Sequence, residues 1–249
     1  MIQMVAVNNV LFSRADFEIA TRYLHAWTNP MIGLANTLGN NVIDLSGNSA
    51  TKANFENYIR SRDPYFFIGC GHGQVDRLGG QNNEIILDDQ NASLMRGRIV
   101  YLYSCNTGAF LGKKLVDEGA VGYIGFQTEF KFYISDPPMP NPTSDTLAKP
   151  FFESGNAIIE AILKGKTIQD AYMAAINSFD KWISYWSQQD RPETPFMLSA
   201  LYWNKDNLVS YGALESKFTK TPVKLTSPLV ALPLLGLAAL GFTYVTSKK

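Results

Sequence analysis

The sequence predicts an α/β fold built on a doubly wound, mostly parallel sheet flanked by helices. Three observations carry this. Apolar runs alternate with helix-like segments along the first half of the chain, the runs are continuous rather than alternating, and two of them stop at glycine-rich turns. A continuous apolar run bounded by turns is how a strand covered on both faces reads, and the helices between such runs supply the cover.

The elements follow in order. "MIQMVAVNNVLF" lacks a basic region followed by a sustained apolar stretch and a small-residue cleavage site, so it reads as a first strand rather than a secretory signal. "FEIATRYLHAW" is helical, and His25 within it reads as structural. "VIDL" (Val42 to Leu45) is a strand; "SATKANFENYIRSRD" is a helix with Phe55, Tyr58 and Ile59 on one face and Ser49 or Thr51 as N-cap. The strands "YFFIG" and "RIVYLYS" come next, then "GAFLGKKLVDEG", a short helix closed by Gly119, and the strand "AVGYIGF". Prolines 137, 138, 140 and 142 make "SDPPMPNP" an extended loop. Two helices follow Asp145, the second opening at a capping box of Thr167 and Asp170. Trp182, Tyr185 and Trp186 share a face of that helix and are expected in the core. "FMLSALYWNKDNLVSYG" reads as a return to strand with "NKDN" as a turn.

Composition bounds the function. The 249 residues are 46% hydrophobic, enough for a sizeable core. Lys+Arg and Asp+Glu are both 22, so no net field exists to gather a nucleic acid, and none is expected as a partner. Two cysteines, Cys70 and Cys105, are too few for a disulfide framework and read as free thiols.

The chemistry concentrates in "YFFIGCGHGQ" (Tyr65 to Gln74) and "IVYLYSCNTG" (Ile99 to Gly108). In an open parallel sheet the residues just past the carboxyl ends of strands converge on one crevice. Two such strands side by side, about 4.8 Å apart, would present the imidazole of His72 and the thiol of Cys105 to each other, a base with its nucleophile. Gly71 and Gly73 permit a sharp turn and close substrate approach. Backbone N–H groups at Gly73 and Cys105 are the expected oxyanion donors. A helix starting directly after Cys105 would favour its thiolate. Asn106 and Thr107 either orient this turn or cap that helix. Asp76, Glu129 and Asp136 lie on loops expected to border the crevice, where a carboxylate could hold a basic substrate side chain. Cys70, two residues before His72, is expected to be buried in its strand. The chemistry is acyl transfer, most simply peptide hydrolysis. A nucleotide site is disfavoured, since "GCGHGQ" has neither the dinucleotide spacing nor a Gly-Lys-Ser/Thr.

"FFIGCGHG" and "VYLYSCNTG" resemble the two signature blocks of the caspase, gingipain and legumain superfamily of cysteine peptidases (clan CD). "SCNTGAFLGKKLVDEGAVGYIGF" is most similar to the gingipain-like and CHAT (separase-related) branches. The resemblance covers roughly Val42 to Gln127, with a weaker echo at "LYWNKDNLVSYG". It implies a caspase-like sheet, a His72 and Cys105 dyad, protein or peptide substrates, and neither metal nor cofactor. Tyr-Ser before Cys105 and Asn-Thr-Gly after it depart from the caspase pattern, and with it from aspartate specificity. The alternative is a catalytically silent caspase-like scaffold that binds partner proteins.

Residues 1–218 are therefore expected to form the peptidase domain, 219–227 a linker, and 228–245 a transmembrane anchor or a buried terminal helix. "PLVALPLLGLAALGFTYV" is uncharged, and a helix of that length spans roughly 27 Å, near the thickness of a bilayer core. Lysines flank it almost evenly (Lys217, Lys220 and Lys224 before, Lys248 and Lys249 after), which leaves sidedness open. A reactive thiol suits a cytosolic catalytic domain on such an anchor.

Overall fold

Along each central strand, successive side chains enter different cores. Leu11, Phe67, Val100, Leu102 and Tyr123 face one layer; Val10, Phe12, Phe66, Ile68, Tyr101, Tyr103, Ile124 and Phe126 face the other. Apolar residues at both parities are what the sequence needs for a sheet covered on two sides. The computed structural model describes residues 8–218. The expected segments 219–227 and 228–245 lie outside the described residues. Among the described residues no helix is long and apolar enough to cross a membrane.

In chain order the first elements are β1 (Asn9–Arg14), α1 (Ile19–Thr37), β2 (Asn41–Ser46), α2 (Lys52–Arg62) and β3 (Phe66–Cys70). A small insert follows: β4 (Gly73–Gln74), β5 (Arg77–Gly79) and β6 (Ile85–Asp88), an antiparallel sheet of its own. Then come β7 (Ile99–Tyr103), α3 (Leu111–Asp117), β8 (Gly122–Phe126), α4 (Lys149–Leu163), α5 (Ile168–Trp186), α6 (Thr194–Asn207) and β9 (Leu208–Gly212). The main sheet runs β2-β1-β3-β7-β8-β9, parallel except for β9. Helices α2 and α3 contribute to one core; α1, α4, α5 and α6 contribute to the other. This is the α/β architecture expected, with a mostly parallel sheet between helical layers.

Several elements match their sequence signals closely. Thr51 caps α2, and Thr167 with Asp170 forms the capping box of α5. Gly119 ends the α3 region at φ 103°, a conformation open chiefly to glycine. Three expectations are corrected. "FMLSALYWNKDN" is helix α6, not strand: Pro195 sits in its first turn and Met197, Ala200, Leu201 and Asn204 are buried at helical spacing, so the strand begins only at Leu208. Helix α3 begins at Leu111, six residues after Cys105. Tyr185 is exposed while Trp186 is buried, so the aromatic face of α5 is only partly core.

Buried Arg14 closes the carboxyl end of β1. Its guanidinium donates to both Asp44 oxygens (2.8 and 2.6 Å), to the His25 carbonyl (2.8 Å) and to Asn29 Oδ1 (2.7 Å). This ties β1, β2 and α1 together. His25 is structural as expected, with Nε2 2.7 Å from Ser46 Oγ.

Candidate active site

The site forms where β3 and β7 end side by side. Their register pairs Cys70 with Tyr103, so His72 and Cys105 each lie two residues beyond a matched pair. Both line one cavity of about 150 Å³, whose other walls are α1 (Ala20, Thr21, Leu24), Tyr103, Ser104 and the rings of Phe130, Phe132 and Phe152. His72 also lines a second, more polar groove of about 440 Å³ with Gln74, Arg77 and Asn83. The imidazole thus stands between an apolar cavity and a polar groove.

His72 has an orienting partner that the sequence did not reveal. Its Nε2 lies 3.0 Å from Glu18 Oε1, and its ring meets Phe17 edge-on at 5.9 Å. Glu18 is itself fixed as the N-cap of α1: its carboxylate accepts the Thr21 N–H (3.0 Å), and its own N–H donates to Thr21 Oγ1 (3.1 Å). A carboxylate oxygen can only accept, so Nε2 carries the hydrogen of this contact and Nδ1 is the nitrogen left to exchange a proton. The sheet order offered one clue, since β1 is the other neighbour of β3 and its following loop must reach the same edge.

Cys105 occupies a tight turn rather than a helix start. Asn106 has φ 63°, its N–H donates to the Thr128 carbonyl (2.8 Å), and the Thr107 N–H donates to the Cys105 carbonyl (2.8 Å). Buried Thr107 is not a helix cap; its hydroxyl bonds Ser104 Oγ (3.0 Å) and Tyr123 OH (2.9 Å) beneath the turn. With no helix beginning here, the expected pull toward thiolate is missing. Burial pushes the Cys105 thiol up, a backbone hydrogen bond from Phe130 opposes this, and the nearby Glu129 carboxylate adds to the rise. Burial thus favours the thiol over the thiolate. Cys70 is buried in β3, and burial drives its thiol up to about 12, so it is chemically quiet.

The glycines serve the protein's own packing. A Cβ on Gly73 would overlap the Cys105 carbonyl oxygen and come within 2.8 Å of Ser104 Oγ; one on Gly71 would overlap the Gly79 carbonyl oxygen. Glycine lets the β3 loop lie directly against the Cys105 turn and the β4–β5 hairpin. On the far side, Asn204 of α6 grips the segment that carries the phenylalanines, accepting from the Lys131 N–H (2.8 Å) and donating to the Lys131 carbonyl (2.6 Å). Phe130 and Phe132 then turn the same way from an extended segment. Phe130 packs on Tyr103 (5.1 Å between centroids) and Phe132 on Phe152 (4.9 Å).

The three candidate carboxylates are dispersed. Glu129 is exposed and close enough to bear on the Cys105 thiol, though outside the cavity wall. Asp76 sits in the turn between β4 and β5 in a two-pronged pair with Arg77 (2.8 and 2.6 Å), which holds its carboxyl below the usual range. Asp136 precedes the proline loop across a cis bond to Pro137. That loop is pinned by Asp145, which accepts from Tyr23 OH (2.8 Å), Ser135 N–H (2.8 Å), Ser135 Oγ (3.0 Å) and Leu147 N–H (3.0 Å). Among the described residues no group of three or more His, Cys, Asp or Glu side chains could hold a metal ion.

No protein-family model matches this sequence, and no curated protein does. Solved structures do match. The Arg specific cysteine proteinase gingipain R superimposes with a TM-score of 0.54 at 12% identity, over 86% of this chain and 48% of that one. A complex of the pro- and mature domains of Porphyromonas gingivalis RgpB gives 0.53 at 11%, over 84% and 48%. A structure described as a protease gives 0.50 at 11%, over 88% and 50%. The chain spans about half the length of these neighbours. They bear on the gingipain part of the sequence resemblance; the CHAT, caspase and legumain parts rest on the motifs alone. At these identities the likeness is one of fold, and the fold it shares is that of the gingipain cysteine proteinases.

Proposed function

We propose that this chain is a cysteine endopeptidase acting through His72 and Cys105. The observation that carries the proposal is the shared cavity: adjacent parallel strands deliver an oriented imidazole and a thiol to one opening. The likeness in fold to cysteine proteinases supports it.

The chemistry follows from the hydrogen bonding of the imidazole. His72 Nδ1 takes the Cys105 proton as sulfur bonds to the substrate carbonyl carbon, so the thiol becomes a nucleophile in the same step. The imidazolium so formed is stabilised through Nε2–H by the Glu18 carboxylate. The carbonyl oxygen gains a negative charge, for which the Cys105 and Gly73 N–H groups are the assigned donors. The Cys105 N–H makes no backbone hydrogen bond among the described residues. The C–N bond then breaks, His72 returns the proton to the departing amine, and a thioester is left on Cys105. A water molecule, deprotonated by His72, attacks this thioester; the acid leaves and sulfur recovers its proton. Glu18 is a positioning residue in this scheme, since it acts through the imidazole.

The test compares turnover of a random peptide library by the wild type and Cys105→Ala. The proposal expects cleavage products from the wild type only, and their loss after thiol alkylation with mass located on Cys105. Equal background in both proteins would refute it and return the chain to a partner-binding scaffold.

A further inference from the structure

The apolar cavity beside Cys105 differs in kind from a charged specificity pocket. Its walls are Leu24, Ala20 and three phenylalanine rings, and the polar side chains among its lining residues are already engaged. Thr21 Oγ1 bonds the Glu18 backbone (3.1 Å), Tyr103 OH donates to the Phe151 carbonyl (3.2 Å), and Ser104 Oγ bonds Thr107 (3.0 Å). Among the described residues, no Asp, Glu, Lys or Arg lines it. The Glu18 carboxylate beside His72 is taken up by the imidazole and the Thr21 N–H, and the Glu129 carboxylate that bears on Cys105 is exposed outside the wall.

We propose that this cavity takes an apolar side chain, aromatic or branched aliphatic, from the substrate residue whose carbonyl Cys105 attacks. The assignment rests on the peptidase reading and extends it to a substrate class. Size and chemistry agree: about 150 Å³ accommodates a benzene-sized group, and the lining is mostly apolar. A guanidinium or ammonium carried into these walls would meet no counter-charge among the lining residues, and a carboxylate no cation, so each would lose hydration without a lining partner. The walls are preorganised for the task, because the Phe130 and Phe132 segment is clamped by Asn204 and its rings pack on Tyr103 and Phe152. The chain would therefore differ in specificity from the Arg specific neighbour whose fold it shares.

The experiment uses one fluorogenic peptide series that varies only at the residue before the scissile bond: Phe, Leu, Ala, Arg, Lys, Asp and Asn. Wild type is expected to give kcat/KM at least about 10-fold higher for Phe or Leu than for Ala, with Arg, Lys and Asp near background. A second variant, Ala20→Asp, puts a carboxylate into the wall at the first turn of α1, where a helix N-terminus favours negative charge, and a urea titration checks its fold. It should lose at least about 10-fold on Phe and gain on Arg and Lys. Cys105-dependent turnover that favours Arg, Lys or Asp in the wild type would overturn the apolar assignment and leave the peptidase reading intact. So would an unchanged preference in Ala20→Asp. Turnover no greater than that of Cys105→Ala for every peptide would overturn both.

Discussion

Gly73→Ala isolates the contact on which the site's geometry depends. In the wild type the Gly73 Cα lies directly against the Cys105 turn. The added methyl would overlap the Cys105 carbonyl oxygen and sit 2.8 Å from Ser104 Oγ and 2.9 Å from Ser104 Cβ, where ordinary contact begins at 3.4 Å. Even the mildest of these clashes requires the two loops to part by about 0.5 Å, which is the tolerance within which a catalytic pair works. Neither neighbour can yield easily, since Ser104 is bonded to buried Thr107 and the Cys105 carbonyl accepts from the Thr107 N–H. Overpacking of this kind costs about 1–3 kcal/mol of stability. A 1 Å displacement of reacting groups costs on the order of 100-fold in rate, so kcat/KM should fall at least about 10-fold. Initial rates on the preferred peptide, beside a urea titration, measure both quantities. Gly33→Ala is the control: it sits inside α1 with nothing within 4 Å of its Cβ position, and should gain about 0.5–1 kcal/mol at full activity. Full activity in Gly73→Ala would refute the claim that this contact sets the distance between base and thiol.

Three further outcomes are expected. Glu18→Gln should lower kcat by about 100-fold or more while KM changes by less than about 3-fold, because the imidazole loses its orienting charge but the cavity is untouched; equal losses in kcat and stability would mark Glu18 as a helix cap only. Alkylation of Cys105 by iodoacetamide in the absence of substrate should keep accelerating above pH ~8.5, the ordinary thiol value, because burial raises this thiol, while Cys70 stays unlabelled until the protein unfolds; a plateau below pH 8 in the mass-resolved labelling rate would contradict it. Asp145→Asn should cost about 1–3 kcal/mol at pH 7. Burial opposes ionisation of Asp145, yet the hydrogen bonds from Ser135, Tyr23 and Leu147 outweigh it and hold the carboxyl low. Its contribution is thus present above the unfolded value of about 3.9 and is lost as pH falls through the lower folded value, so the difference between wild type and variant in urea titrations should shrink below pH ~4.

The sequence exposed what local patterning encodes. Continuous apolar runs marked the parallel strands, and the Thr51 and Thr167 caps marked their helices. His72 and Cys105 were visible because strand ends converge in a parallel sheet, and that rule needs no knowledge of side-chain contacts. Glu18 was hidden because its role depends on β1 lying beside β3, a pairing of residues 54 positions apart. The insert between β3 and β7 is not legible because strands of two to four residues carry no readable period. Helix α6 was mistaken for strand because its aromatics Phe196, Tyr202 and Trp203 favour strands in isolation, while the buried stripe of Met197, Ala200, Leu201 and Asn204 decides the outcome. The expected helix charge at Cys105 failed because Asn106 in a left-handed conformation delays the helix by a turn and a half.

The walls of the apolar cavity come from five separated stretches, beginning at Ala20 and ending at Phe152. A nascent chain that has just released Cys105 from the ribosome thus holds His72 and Cys105 but no cavity, since the phenylalanines and the α6 clamp are still to be synthesised. Long-range contacts form late. On the reading proposed here, a translation product that stops before Phe152 carries a thiol without a complete cavity to hold a peptide.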